Sequence, residues 1–179
     1  MVKKFPESSE INIRIADPSD AELLVEVGRT SFYEAFAQET APEDMAEHLK
    51  TAFKIQDITE QLSNDQSLFI IIEIDSAAGG YAYLHPEQPP DCVKTPDPVQ
   101  LKRFYLRKAY YGRNVGNTLM ESCLELARAR GFQSVWLSTW EFNHRASFFY
   151  KKWEFKIVGR AKFTVGRDIQ NDNIFARNI

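Results

Sequence analysis

Ile11, Ile13 and Ile15 alternate with Asn12 and Arg14, the period of a half-buried strand. Asp17-Pro18-Ser19 interrupts the alternation. From about residue 20 to residue 36, Leu23, Leu24, Val27, Ser31 and Phe32 recur at helical spacing, with Ser19 and Glu22 placed to form a capping box. Thr40-Ala41-Pro42-Glu43 opens a second helix, proline standing at its first position and Met45 and Leu49 at i and i+4. A third, short helix is predicted over residues 55–62.

The unbroken apolar run at 67–74 predicts a buried strand. Gly79-Gly80 is expected to turn it back into a hairpin partner at 81–85. Pro86, Pro89, Pro90, Pro96 and Pro98 exclude helix or central strand and mark a long surface loop. A strand at 99–106 follows. Val115, Leu119, Cys123 and Leu126 then give a helix over 115–130, ended by Gly131. A strand at 135–139, a helix over about 143–153 and strands near 155–165 and 174–177 complete the pattern. Strands and helices that alternate in this way form one mixed sheet with helices on both faces, an α/β (α+β) fold.

Composition narrows this picture. The 179 residues, 44% hydrophobic and 26% charged, suit a globular chain, read as an N-terminal tail at 1–10 and a single domain at 11–179. The net charge of -3 comes without a basic stripe, which argues against a nucleic-acid partner. Neither a signal peptide nor an apolar run long enough to span a membrane is found. Two cysteines outside any CxxC pattern fit a reducing compartment, so a cytoplasmic location is expected. His48, His85 and His144 lack ligand spacing with one another or with the cysteines, and no metal is expected.

Two segments carry chemistry. In the first, the strand ending at Leu106 leads through Tyr111-Gly112-Arg113-Asn114-Val115-Gly116-Asn117 directly into a long helix. Glycines let backbone N–H groups approach a ligand, and a helix N-terminus favours an anion, so a pyrophosphate is the natural guest. Taken alone the signal is weak. It lacks the Gly-Lys-Ser/Thr of a P-loop and the spacing of a dinucleotide fingerprint. In the second, Asn143 can cap a helix on which Ala146, Phe149, Tyr150 and Trp153 share one face, a pattern that a core stripe would also produce.

Taken together, the two segments resemble the GNAT acetyltransferases. Asn143-x-x-Ala146-x-x-Phe149-Tyr150-x-Lys152-x-x-Phe155 is similar to the second motif of that superfamily, and the turn at 111–116 stands about thirty residues upstream, where the acetyl-CoA pyrophosphate loop belongs. Trp140-Glu141-x-Asn143 and the insert near Thr40-Ala41-Pro42-Glu43-Asp44-Met45 resemble, less specifically, the bacterial spermidine/spermine acetyltransferase branch.

The resemblance implies a mostly antiparallel twisted sheet of about six or seven strands. It also implies acetyl-CoA as cosubstrate and acetyl transfer to a primary amine: a polyamine, an amino acid or a peptide amine. Backbone groups of Phe104, Tyr105 and Leu106 would pair with the pantetheine arm, and Leu106 N–H would contact the oxyanion. The segment Tyr111, Gly112, Arg113, Asn114, Val115, Gly116 and Asn117 would hold the pyrophosphate, Asn143 and Lys152 would contact the cofactor, and Tyr150 would face the thioester sulfur as proton donor. Glu141, His144 and Glu73 are the candidate bases. The family usually has Arg or Gln at position 111, Gly at 114 and 154, and, in the polyamine branch, Glu at 100, where Tyr111, Asn114, Glu154 and Gln100 stand here. Gln100 and Asn114 support an alternative reading as a weakened CoA-binding or amine-sensing module. A monomer or homodimer is expected.

Overall fold

The computed structural model describes residues 9–165 and 168–179. Strand β1 (Ile11–Ile15) is followed by three helices, α1 (Ala21–Phe36), α2 (Pro42–Ala52) and α3 (Ile55–Leu62). Then come β2 (Leu68–Ile74), β3 (Ala77–His85), β4 (Pro98–Leu106), α4 (Val115–Ala129), β5 (Ser134–Trp140), α5 (His144–Lys152), β6 (Lys156–Val165) and β7 (Asp168–Asn178). The seven strands form one sheet in the order β1-β2-β3-β4-β5-β7-β6. All neighbours are antiparallel except β4 and β5.

Strand alternation divides the core between the two faces. Ile70, Ile72, Ala82, Leu84, Val99, Leu101 and Leu137 pack under α4 and α5 with Leu119, Cys123 and Tyr150. Phe69, Ile71, Tyr81 and Tyr83 point the other way, against Leu24 and Val27 of α1 and Ile58 of α3. Phe32, Met45 and Phe53 extend that second face around the Tyr105 ring. Among the described residues no helix is long and apolar enough to cross a membrane.

Three local expectations need correction. Gly79 and Gly80 do not make the hairpin turn; Asp75 and Ser76 do, at φ 51° and 66°, and both glycines lie inside β3. At Gly80 a Cβ would sit 2.3 Å from the Tyr105 carbonyl oxygen, so glycine there permits close approach of β4. The helix cap is made not by Ser19 and Glu22 but by Asp17 and Asp20, which form a capping box on the short 3-10 turn before α1. Asp20 also accepts from Arg14 at 2.7 Å, and Arg14 donates to Glu73 at 2.8 Å, joining α1 to the sheet edge. Finally, the last strand begins at Asp168 rather than near 174. The polar run Asn171-Asp172-Asn173 hides it from a hydrophobic pattern, yet these residues pair with β5 and β6, and Asp172 and Asn173 are buried.

The feature that makes room for a site is the β4–β5 pair. The two strands are in register only from Pro98↔Ser134 to Gln100↔Trp136 and then part. From Leu101 onward β4 has a sheet partner on its β3 side alone.

Gly80→Ala should destabilise the fold by roughly 1–3 kcal/mol, since a backbone oxygen must give way to the new methyl group. Urea unfolding checks this, and an unchanged midpoint would contradict the close-approach account.

Candidate active site

The gap between β4 and β5 opens into a cavity of about 680 Å³. One wall is the free edge of β4. Arg107 N–H bonds the Gly79 carbonyl on the β3 side at 2.8 Å, and the Tyr105 carbonyl also faces β3. Backbone direction alternates along a strand, so the N–H and C=O of Phe104 and Leu106 point into the gap. These are strand-like donors and acceptors with no strand opposite them.

At one end of the cavity lies the α4 N-terminus. Gly112 and Asn114 take left-handed φ values of 72° and 64°, which coil the loop so that the first turn of α4 faces the gap. Asn carries this conformation more easily than most residues, so position 114 does not require glycine. The Asn114 carbonyl is taken by Asn117 N–H at 2.9 Å, while the N–H groups of Val115 and Gly116 belong to the first turn, where a helix supplies no partner of its own. An anion fits there. Gly116 looks across at Phe149 and Leu106, where an added Cβ would find neighbours no closer than 3.6 Å. Glu34 of α1 steadies the approach to this loop by accepting from Lys108 N–H at 2.8 Å and from Arg107 at 3.3 Å.

The third wall is α5. Asn143 Oδ1 accepts from Ala146 N–H at 3.1 Å and starts the helix. Trp153, at its end, donates to Asn117 Oδ1 at 3.0 Å, which locks α5 to the first turn of α4. Between them Tyr150, 8% exposed, is held among Phe104, Phe149, Phe155 and Phe175 at centroid distances of 5.7–6.5 Å. Burial pushes its phenol well above the ordinary tyrosine range, so it stays protonated at neutral pH. Glu154 ends α5 at φ 61°, the conformation for which glycine is the usual choice.

Most residues expected from the sequence meet here. Phe104, Tyr105, Leu106, Tyr111, Gly112, Asn114, Gly116, Asn117, Asn143, Tyr150 and Lys152 all line the cavity. Arg113 is exposed and Val115 is buried in the core, and neither lines it. Glu141 also stands outside the lining; its carboxylate accepts from Asn171 at 3.1 Å and faces Arg160 at 3.7 Å. Glu73 is bound to Arg14 and Asn12 at the β1 edge of the sheet, outside the cavity lining. Gln100 sits at the point where the strands part, beside Trp136, and its Oε1 is buried without a partner.

Two residues were missed. Arg145 lies over the Tyr111 ring with its guanidinium carbon 3.6 Å from the centroid, and so brings a cation to the loop where Tyr111 replaces the family's usual Arg or Gln. Nothing in its spacing singles it out, because the contact crosses from α5 to the loop. Asp172 lines the cavity at 5% exposure, and burial pushes its carboxyl up to about 6 although Ser138 donates a hydrogen bond to it. Its polar neighbours Asn171 and Asn173 left no sequence signal to single it out. No group of three or more His, Cys, Asp or Glu able to hold a metal comes together among the described residues.

The acetyltransferase (GNAT) family model matches residues 29–155. An uncharacterised N-acetyltransferase of Mycobacterium tuberculosis is 29% identical over 90% of this chain and 99% of its own length. Another, from Lactobacillus delbrueckii subsp. lactis, is 26% identical over 89% and 94%. Among solved structures, the PaiA N-acetyltransferase of Thermoplasma acidophilum in complex with coenzyme A matches with a TM-score of 0.77 at 22% identity, covering 95% of this chain and 99% of that one. A GCN5-related N-acetyltransferase from Rhodopseudomonas palustris matches at 0.75 and 20%, covering 98% and 100%.

The buried Asp172 makes a stability prediction. Its native pKa lies above the unfolded value of 3.8, so between about pH 4 and 6 the native state binds the extra proton and stability falls as pH rises. At neutral pH the burial costs on the order of 3 kcal/mol. Asp172→Asn should therefore stabilise the protein by roughly 1–3 kcal/mol at pH 7.5, with the gain vanishing near pH 4. Denaturant titrations of both proteins across that range test it; a constant difference would contradict the assigned burial.

Proposed function

The chain belongs to the GNAT acetyltransferase family, and we propose that it uses the gap between β4 and β5 to transfer acetyl from acetyl-CoA, the family's cosubstrate, to a primary amine. The observation that carries this reading is the free edge of β4 running from the α4 N-terminus to Tyr150 along one continuous cavity. A pantetheine arm adds itself to that edge as a short strand through the backbone of Phe104 and Leu106, which flank Tyr105. The diphosphate takes N–H groups between Gly112 and Gly116, with Arg145 and Lys152 supplying charge and Asn143 flanking it.

The residues then divide the chemistry. As the amine attacks the thioester carbonyl, negative charge grows on its oxygen, and the Leu106 N–H, aimed into the gap, hydrogen-bonds it. Removing one such donor in comparable sites costs about 100–1000-fold in rate. When the C–S bond breaks, the CoA thiolate takes a proton from Tyr150, which burial keeps protonated.

The spermidine/spermine branch is the narrower reading, supported by Trp140-Glu141-x-Asn143 and the helix that starts at Pro42. Against it stands the acid content of the cavity: Asp172 is the one carboxylate among the described residues that line it. A polycation would find one counter-charge there, and Gln100 adds none. An acceptor with a single ammonium fits better. The alternative of a CoA-binding or amine-sensing module rests on Gln100 and Asn114, but Asn114 carries the left-handed loop conformation, which weakens its case.

Turnover across an amine panel, read as free thiol, tests the reading directly: a binding module gains heat stability with acetyl-CoA and releases no CoA. Tyr150→Phe keeps the ring and should lower kcat roughly 10–1000-fold with little change in acetyl-CoA affinity; equal rates would leave Tyr150 as packing alone. Gly116→Val should weaken acetyl-CoA binding measured by calorimetry far more than it lowers Tm, because a Cβ there meets no protein atom closer than 3.6 Å but crowds the approach of a diphosphate to the start of α4.

A further inference from the structure

Two residues that line the cavity each carry a buried polar atom. Asp172 Oδ1 comes from β7 and Ser31 Oγ from α1, their residues 5% and 2% exposed, and neither atom has a hydrogen-bond partner. Buried polar groups are almost always paired, so two orphans on residues that line one cavity point to a ligand that brings partners. Asp172 lies on the same face of the sheet as Ser138 and Trp140, its register neighbours being Trp140 and Ala161. That is the face of α1 and Tyr105, opposite the face packed under α4 and α5. The chamber there is walled by Phe32, Phe36, Tyr105 and Trp140, and Asp172 is the one carboxylate among the described residues that line it.

We propose that Asp172 receives the ammonium group of the acceptor and takes its proton, that Ser31 hydrogen-bonds the acceptor beside it, and that the acceptor is a primary monoamine with an apolar or aromatic body. The proposal rests on the acetyl-transfer reading above and names the acceptor side of the same site. One carboxylate satisfies one ammonium, and the aromatic walls take the rest of the molecule from water.

The step balances as follows in protons and bonds. Asp172 accepts one proton from R–NH3+, leaving R–NH2, whose lone pair forms the C–N bond to the acetyl carbonyl carbon. The tetrahedral adduct collapses with loss of the C–S bond, and the CoA thiolate takes the Tyr150 proton. The remaining extra N–H proton passes through water to the Tyr150 phenolate, and Asp172 releases its own to solvent. One proton appears per acetyl transferred. Desolvation helps the first transfer, because it raises the carboxyl while lowering the ammonium.

The charged groups around Asp172 leave it as the titrating acid of the chamber. Of the basic residues that line the cavity, Lys102 is paired with Glu87 and Arg103 donates to Gln61, while Arg145 and Lys152 belong to α5 on the other face of the sheet. Arg160 on β6 and Glu141 after β5 are engaged with each other. Burial holds the phenols of Tyr105 and Tyr150 protonated and depresses His48, which stacks behind Phe32 at 4.2 Å. A kcat/KM profile for the wild type should therefore show an acid limb near pH 6.

The experiment measures thiol release and acetyl-CoA affinity in the wild type, Asp172→Asn, Ser138→Ala and Tyr150→Phe, with 2-phenylethylamine and spermidine as acceptors. Asp172→Asn is expected to lower kcat/KM for 2-phenylethylamine about 100-fold at pH 7.5, abolish the acid limb and leave acetyl-CoA affinity within about twofold. Ser138→Ala, at an exposed position, removes the hydroxyl that favours the charged carboxylate and should move the limb upward by roughly half a pH unit or more. The proposal is overturned if Asp172→Asn keeps both rate and limb, or if spermidine is preferred over 2-phenylethylamine by more than about tenfold. If acetyl-CoA binds and Tyr150→Phe is slow while Asp172→Asn is not, only this proposal fails. If the wild type neither binds acetyl-CoA nor releases thiol with any amine, the transfer reading fails and takes the proposal with it.

Discussion

Neighbouring strands satisfy each other's backbone only while they stay about 4.8 Å apart. β4 and β5 hold that spacing for three register pairs and then separate. Every backbone group of β4 that faces β5 beyond Gln100 thereby loses its partner, and a buried group left unpaired costs about 1–3 kcal/mol. A sheet interior tolerates such a gap only if solvent or a ligand fills it. The divergence thus creates in one step both the room for a cosubstrate and the donors and acceptors that hold it. Everything else in the site is arranged around keeping the gap open.

Packing on the two faces does that work. On one face, Phe104 packs against Phe149 and Tyr150, so α5 is held over β4 beyond the point where β5 leaves it. Trp153 ties α5 to Asn117, and Arg177 of β7 donates to the Trp153 carbonyl at 2.7 Å. The start of α4, the end of α5 and the strand beyond β5 therefore form one rigid frame. On the other face, Phe32, Phe53 and Tyr105 form a ring cluster that holds α1 and α2 against the same stretch of β4. The gap is braced from both sides by aromatic contacts, and such contacts keep their geometry because the rings have few rotamers to lose.

Much of this was legible in the sequence, and the reasons differ by element. Helices α1 to α5 follow from periodicity and from Pro42 and Gly131 as start and stop signals. The loop and α5 follow from the resemblance carried by residues 111–116 and 143–155. What remained hidden depended on contacts distant in the chain. The hairpin turn fell to Asp75 and Ser76, which carry positive φ without being glycine, while the glycines that looked like a turn served strand-to-strand approach. β7 was half invisible because Asn171, Asp172 and Asn173 break the apolar pattern, and Asp172 came into view as a site residue only when register placed it opposite Trp140. Arg145 and Tyr111 meet across more than thirty residues. A polar residue inside a buried strand is a local inconsistency, and such inconsistencies gather where function outweighs stability.

The same logic connects Gln100 to Asp172. Gln100 and Trp136 share a register position on the face that further along carries Ser138, Trp140 and Asp172. Gln100 itself lies outside the cavity lining, four positions along β5 from the register of Asp172. At a rise of about 3.3 Å per residue that places the two roughly 13 Å apart along the strand, too far for a hydrogen bond or a close ion pair. Burial raises the Asp172 carboxyl to about 6 without a second carboxylate beside it. On the proposed reading, the acid that meets the acceptor therefore comes from β7 and not from the central strand. The amide at position 100 then removes nothing that this site uses, and the sequence hid the acid because only strand register brings it to the cavity.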